Sequence, residues 1–92
     1  MIVSFADKDT ADLFAGKRVK RFVNIAAIAE RKLQQLDSAG KLEALRAPPG
    51  NRLEKLSGDR AGQHSVRIND QWRLCFVWKE DGVHDVEIVD YH

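Results

Sequence analysis

The stretch HSVRINDQWRLCF, residues 64–76, determines how this chain folds. Apolar and polar residues alternate along residues 63–69 and again along 72–78, which is the pattern of two half-buried β-strands. The residues between them, Asn69-Asp70-Gln71, are typical of a turn, so we predict an antiparallel hairpin. A register that places Val66 opposite Leu74 pairs apolar side chains with each other, and a slip of one residue would destroy that match.

The same register puts Arg67 opposite Arg73 on the other face of the hairpin. Like charges that face each other across two strands are destabilising. Something negative should therefore lie between the two guanidinium groups, either a nearby carboxylate or a bound phosphate. The local pattern leaves both explanations open.

Two helices are predicted before the hairpin. Residues 7–15 form a short helix that ends at Gly16. A second helix runs from about residue 24 to residue 39 with Asn24 as its N-cap, because apolar residues recur at helical spacing. The apolar residues that form its buried stripe are Ile25, Ile28, Ala29, Leu33 and Leu36.

Strands are predicted at both ends of the chain, at residues 1–5 and 83–91. Residues 80–82 suit a three-residue hairpin loop with Gly82 in the left-handed conformation. The pairs that this loop predicts between the last two strands are Leu74 with Ile88 and Phe76 with Val86.

A chain of 92 residues has room for one hydrophobic core, so we predict a single domain over residues 1–92. Its fold class is α+β, with two N-terminal helices packed on a small antiparallel β-sheet. The chain has one cysteine, no signal-peptide pattern, and no apolar run of the roughly 18 residues that a membrane span needs. We therefore expect a soluble, cytoplasmic protein with no membrane partner.

Positive charge is concentrated in the middle of the chain. Residues 17–73 carry thirteen Lys/Arg and six Asp/Glu, a net charge of +7, whereas residues 1–16 carry −2 and residues 74–92 carry −4. A basic centre between acidic ends is typical of an anion-binding face, although solvated surface charges would give the same count. The further candidates for binding a nucleic acid, beside the two paired arginines, are Arg52, Lys55, Arg60 and Asn69.

The sequence ends in Asp90-Tyr91-His92, which the last strand places at the end of the basic sheet. Histidine exchanges protons near neutral pH, the carboxylate can orient or accept a proton, and the phenol can stack or donate. A metal site built from His64, His84 and His92 is a poor alternative, because their spacing fits no compact metal-binding motif.

Residues 51–62 (NRLEKLSGDRAG), 65–73 (SVRINDQWR) and 89–92 (VDYH) resemble the HigB branch of the RelE/ParE toxin superfamily, and the match is especially close to its GraT-like members. The resemblance implies the RelE-like fold and a type II toxin–antitoxin system. Toxins of the HigB branch enter the ribosomal A site and cut mRNA without a metal or another cofactor. The implied partner is a HigA-like helix-turn-helix antitoxin, and operator DNA is bound only through the toxin–antitoxin complex.

The resemblance also implies roles for the predicted site residues. Attack of the ribose 2′-oxygen on the adjacent phosphorus needs proton transfer and cations that stabilise the phosphorane. His92 and Asp90 would transfer or orient protons, and Tyr91 would position or stack on the nucleotide. The paired arginines would stabilise the phosphate. Some relatives carry a functional lysine where this chain has Ser57, and Lys55 or Arg60 would have to replace it.

Two alternatives belong to other functional classes. A ParE-like inhibitor of DNA gyrase would need a binding surface but no proton-transfer groups, so the Asp90-Tyr91-His92 tail argues against it. A non-catalytic RNA- or ribosome-binding module would bind ribosomes and leave the mRNA intact.

The first prediction concerns His92. We expect His92→Ala to abolish growth arrest when the chain is expressed, because a group that exchanges protons near neutral pH is lost. The fold and antitoxin binding should be unchanged, as measured by circular dichroism and co-purification. Undiminished growth arrest by the variant would remove His92 from the reaction.

Overall fold

The structure, a computed structural model, describes residues 1–91. Its helices are α1 (Lys8–Phe14) and α2 (Ala26–Ser38), and its strands are β1 (Glu54–Lys55), β2 (His64–Arg67), β3 (Trp72–Lys79) and β4 (Gly82–Asp90). Short 3-10 turns lie at Lys20–Phe22, Leu42–Arg46, Pro49–Asn51 and Gly58–Arg60. Within residues 1–91, neither helix is long and apolar enough to cross a membrane.

The four strands form one antiparallel sheet in the order β1-β2-β3-β4. The N-terminal segment runs parallel to the outer edge of β4, with isolated bridges from Ile2 to Val83 and from Phe5 to Val86. The predicted first strand is therefore present only as this short parallel pairing. The predicted α+β architecture of helices on a small antiparallel sheet is confirmed.

The predicted register of the central hairpin is confirmed. Val66 pairs with Leu74, and Arg67 pairs with Arg73. Leu74 also pairs with Ile88 on β4, as the sequence predicts. Apolar side chains therefore share one face of all three long strands, and this face packs against the helices.

The predicted three-residue loop at the tip of the last hairpin is wrong. Lys79 pairs with Gly82, so the loop has two residues, Glu80 and Asp81. Gly82 has φ 139°, which is outside the left-handed helical region. A Cβ at this position would lie 2.5 Å from the Val3 side chain and 2.7 Å from the Met1 carbonyl oxygen. Glycine is needed here because the N-terminal segment packs directly against the strand.

A β-bulge replaces the predicted pairing of Phe76 with Val86. The register shifts between Cys75, which pairs with Glu87, and Val77, which pairs with His84. The extra residue on β4 falls at Asp85–Val86, where Asp85 has a φ of 54°. This insertion offsets the shorter loop, and for that reason the predicted register is recovered beyond the bulge.

The main helix begins later than the sequence predicts. Ile25 occupies the N-cap position and makes no side-chain cap hydrogen bond, so the prediction of Asn24 as N-cap is wrong. The preceding 3-10 turn runs almost directly into α2, since the Ile25 amide still donates to the Phe22 carbonyl at 3.0 Å. The predicted stripe is largely confirmed, because four of its five members are buried and Ile28 is partly buried. The buried members are Ile25, Ala29, Leu33 and Leu36.

Asn51 holds together the irregular segment that connects the helices to the sheet. Its side chain is fully buried, and its Nδ2 lies 3.1 Å from the carbonyl oxygens of Leu45 and Ala47 and 3.1 Å from Gln35 Oε1. Lys32 Nζ donates to its Oδ1. One buried amide thus joins α2 to two consecutive turns, a function that no local sequence pattern indicates.

The second prediction tests this buried amide. Asn51→Ala should lower the free energy of unfolding by about 1–3 kcal/mol, because two carbonyl groups and the Lys32 ammonium lose their partner. Urea denaturation followed by circular dichroism measures the change. Gln34→Ala, at an exposed position of the same helix, is the control. Equal stabilities of the two variants would contradict the importance of the Asn51 contacts.

Candidate active site

The face of the sheet that points away from the helices carries the candidate site, and we call it the arginine face. Alternation along the paired strands defines it, because every second residue projects to this side. Its members in β2, β3 and β4 are Ser65, Arg67, Arg73, Cys75, Val77, Lys79, His84, Glu87 and Val89. Polar and charged groups on this face are therefore separated from the hydrophobic core by the thickness of the sheet.

Arg73 is the central charged group of this face and is only 9% exposed. Its Nε donates to Ser65 Oγ at 2.8 Å, and its Nη2 donates to the Arg52 carbonyl at 2.8 Å. Its Nη1 lies 3.9 Å from Glu54 Oε1, and its Cζ lies 5.9 Å from the centre of the Tyr91 ring. Both hydrogen bonds go to neutral oxygens, so the guanidinium is fixed in place while its charge is only weakly compensated.

Arg67 is accommodated in a different way. It forms an ion pair with Asp70, in the turn that follows its own strand. The two paired arginines therefore have separate acceptors, and no single carboxylate bridges them among the contacts of residues 1–91. The expectation of a nearby carboxylate is met for Arg67, whereas Arg73 relies mainly on neutral groups.

The turn of residues 69–71 is tied to the end of β4. Asn69 Oδ1 accepts hydrogen bonds from the backbone amides of Gln71 and Trp72, at 2.9 and 2.8 Å, so this side chain shapes the turn. Gln71 Nε2 donates to Asp90 Oδ2 at 3.1 Å, and the Gln71 carbonyl accepts from the Tyr91 amide. The turn thereby fixes the position of the chain's last described residues.

Asp90 and Tyr91 project to different sides of the sheet. Asp90 pairs with Trp72, a residue of the helix-facing side, and its carboxylate is held at the edge by Gln71. Tyr91 is 43% exposed and lies beside Arg73 on the arginine face. Of the predicted meeting between the two arginines and the tail, the structure shows the approach of Tyr91 to Arg73. The predicted role of His92 lies outside the described residues.

Arg60 crosses the arginine face and contacts β4. Its Nη1 lies 3.2 Å from Glu87 Oε1 and 3.0 Å from Gln63 Oε1. Beneath this contact lies Cys75, which is fully buried, and burial raises the pKa of its thiol. Arg60 therefore fastens the turn before β2 to the sheet, above the buried Cys75.

Lys55 is not brought to the arginine face. It pairs with His64, whose ring stacks on the core residue Phe76. Lys55 and His64 line a cavity of about 210 Å³ together with Arg46 on the helix side of the sheet. Burial lowers the pKa of His64, and the charge of Lys55 lowers it further. Arg52 keeps an exposed side chain, while its backbone carbonyl serves Arg73.

The sequence did not predict two residues of the site, Glu54 and Ser65. Glu54 pairs with Ser65, so it stands on the arginine face, and its side chain is 54% exposed. A strand of two residues is too short to show alternation, which explains why Glu54 could not be placed. In the sequence, Ser65 does not differ from an ordinary strand residue, because its role depends on the hydrogen bond that it accepts from Arg73.

Comparisons with known proteins agree with this fold. The family model described as "RelE-like toxin of type II toxin-antitoxin system HigB" matches residues 3–92. Toxin HigB-1 of Vibrio cholerae is 38% identical over 94 aligned residues, covering 100% of this chain and 98% of that protein. An uncharacterised protein of Haemophilus influenzae is 30% identical over 63 residues, covering 68% of this chain and 62% of its own length.

Solved structures support the same fold. The chain resembles one from the YoeB–YefM complex of Staphylococcus aureus with a TM-score of 0.63, covering 100% of this chain and 95% of that one. The heterotetrameric YoeB–YefM complex of the same organism gives a TM-score of 0.62. The sequence identity is 23% in both cases, so these likenesses show the fold alone. On its sequence matches, the chain belongs to the RelE-like HigB toxins of type II toxin–antitoxin systems.

Proposed function

We propose that this toxin is a ribosome-dependent endoribonuclease that inhibits translation by cutting mRNA, with the arginine face as its active site. Membership of the HigB family supports a toxin function. The arginine face supports an anionic substrate, because it places cationic and aromatic side chains together on the side of the sheet opposite the hydrophobic core. A protein that acts on ribosome-bound mRNA works in the cytoplasm.

The observation that carries this proposal is that Arg73 is nearly buried while its hydrogen-bond acceptors are uncharged. A nearly buried guanidinium is costly unless its charge is compensated, yet its two hydrogen bonds go to neutral oxygens and its carboxylate neighbour stays 3.9 Å away. A phosphate bound beside it would supply the missing negative charge through paired hydrogen bonds. The adjacent Tyr91 ring offers a surface on which a base or ribose can pack.

The proposed reaction is an internal transesterification of RNA. The ribose 2′-oxygen bonds to the adjacent phosphorus, and the bond from phosphorus to the 5′-oxygen breaks. The 2′ proton passes to a base on the protein, and an acid returns a proton to the departing oxygen. The products are a 2′,3′-cyclic phosphate and a 5′-hydroxyl, and DNA is not a substrate because it lacks the attacking group.

Arg73 would stabilise the pentacoordinate phosphorane, since it is held rigidly and developing negative charge interacts most strongly with preorganised donors. Arg67 adds positive potential from across the hairpin, and Tyr91 positions the nucleotide. Asp90 and His92 remain proposed proton-transfer or orienting groups. The exposed Arg52 side chain is the best placed of the other basic candidates to contact the RNA backbone, because Lys55 lies on the opposite face.

Glu54 is a further proposed proton acceptor. Its partly exposed carboxylate lies on the arginine face, 3.9 Å from Arg73 Nη1, where it can contact a ribose next to the bound phosphate. The other strand carboxylate of this face, Glu87, is held by Arg60. Glu54 therefore suits general-base work better than Glu87.

An antitoxin is the proposed protein partner. The family is defined by toxin–antitoxin pairs, and the HigA-like helix-turn-helix protein implied by the sequence resemblance would bind this toxin and link it to operator DNA. Operator binding would require the complex, because the described fold contains no helix-turn-helix of its own within residues 1–91.

The third prediction concerns Arg73. Arg73→Met should lower the cleavage rate of ribosome-bound mRNA by about 10²–10³-fold, because a preorganised cation is lost from the phosphorane. The measurement is primer extension on mRNA from a reconstituted translation reaction. The control is Arg18→Met, the same substitution at an exposed position between the helices.

Two results would count against the assignment of Arg73. Cleavage by Arg73→Met at the rate of the control would remove it from the reaction. If the unmutated toxin leaves mRNA intact and inhibits DNA gyrase, the proposed nuclease function is wrong and a ParE-like activity takes its place.

The fourth prediction concerns Glu54. Glu54→Gln keeps the size and polarity of the side chain but cannot take up the 2′ proton, so the turnover rate should fall by about 10²–10⁴-fold. Binding of mRNA-programmed ribosomes should persist, and sedimentation measures it. Glu30→Gln, at an exposed position of α2, is the matched control. Parental turnover by Glu54→Gln would assign the base to another residue.

A further inference from the structure

The two hydrogen bonds that hold Arg73 form a small cradle, and the acceptor in each is a neutral oxygen. One wall is Ser65, which is fully buried in β2 and whose hydroxyl accepts from Arg73 Nε at 2.8 Å. Ser65 pairs directly with Cys75, so Arg73 is its diagonal neighbour on the same face. This geometry lets a long side chain fold across the sheet and end beside a short one.

The other wall is the backbone of Arg52. This residue has φ 45° and ψ 58°, a left-handed conformation that is uncommon for residues other than glycine. Its amide donates to the Pro49 carbonyl at 3.2 Å, and its own carbonyl accepts from Arg73 Nη2 at 2.8 Å. The preceding residue, Asn51, is the buried amide that fixes this turn. An unfavourable backbone conformation is thus maintained where it directs a carbonyl at the guanidinium.

The two acceptors use only part of what Arg73 can donate. A guanidinium has five N–H groups, and Nε together with one hydrogen of Nη2 is occupied by the cradle. The remaining hydrogens lie on Nη1 and Nη2, and Nη1 is the nitrogen nearest the Glu54 carboxylate. A carboxylate in place of Ser65 would hold the side chain equally well but would neutralise its charge.

We propose that Ser65 is a positioning residue, which fixes the orientation of Arg73 while leaving its charge and its outward N–H groups available to the scissile phosphate. The Arg52 carbonyl completes this orientation. The inference rests on the proposed endoribonuclease function, since it assigns a purpose to the cradle within that reaction. It predicts that loss of one hydroxyl, which never touches RNA, impairs turnover more than binding.

The experiment compares Ser65→Ala with Cys75→Ala. Both substitutions remove one heavy atom from fully buried, directly paired residues of the arginine face, and only the first removes an acceptor from Arg73. The first measurement is the ¹H–¹⁵N signal of the Arg73 Nε–H group, assigned by its absence in Arg73→Lys. The second is single-turnover cleavage of ribosome-bound mRNA as a function of toxin concentration.

In Ser65→Ala we expect the Nε–H signal to shift and its hydrogen exchange to accelerate by about tenfold or more, because a hydrogen bond that protected it is lost. The maximal cleavage rate should fall by about 10–100-fold with little change in the half-saturating concentration, as expected when only transition-state contacts are impaired. Cys75→Ala should keep the parental signal and rate. Ser65→Thr, which retains the hydroxyl, should restore both measurements toward the parent.

The outcomes separate this inference from the proposed function. A parental Nε–H signal and cleavage rate in Ser65→Ala would overturn the positioning role and leave the nuclease intact. Equal losses in Ser65→Ala and Cys75→Ala would overturn it as well, because they would show a general effect of packing. A parent that cuts no mRNA would overturn the proposed function, and with it the catalytic purpose of the cradle.

Discussion

The pairing of β2 with β3 is the constraint on which the rest of the structure depends. Its register is set by apolar residues that must face the helices, as in the pair of Val66 with Leu74. Since side chains alternate, this choice also places Arg67 against Arg73 on the other face. The hydrophobic core therefore determines where the charges lie, and the protein must accommodate two adjacent guanidinium groups.

The protein accommodates these two arginines in unequal ways. Arg67 forms an ion pair with the exposed Asp70 in the adjoining turn, which compensates part of its charge. Arg73 is more deeply buried and is held by a hydroxyl and a carbonyl, which orient it without neutralising it. A fold optimised for stability alone would pair the buried charge more closely, because an uncompensated buried charge is unfavourable. This difference supports the proposal that Arg73, more than Arg67, binds an external anion.

The sequence predicted those features that follow from periodicity. Alternation gave the central register, and helical spacing gave the buried stripe of α2. Features that depend on distant contacts could not be predicted this way. The bulge at Asp85 forms where the N-terminal segment packs on β4. The face on which Lys55 lies could not be predicted, because a two-residue strand has no visible period. The cradle was missed because its acceptors are a hydroxyl and a backbone carbonyl.

The proposed site also shows how closely stability and chemistry are linked in a small domain. Asn51 joins α2 to the irregular turns, and the same turn carries the left-handed Arg52 whose carbonyl orients Arg73. At the C-terminal end of β4, Gln71 fastens Asp90 and Tyr91 to the turn between β2 and β3. The groups proposed to meet at the phosphate thus come from segments far apart in sequence, and the buried polar contacts that join these segments also stabilise the fold. Changes that loosen either junction should therefore disturb the geometry around Arg73 before the hydrophobic core is lost.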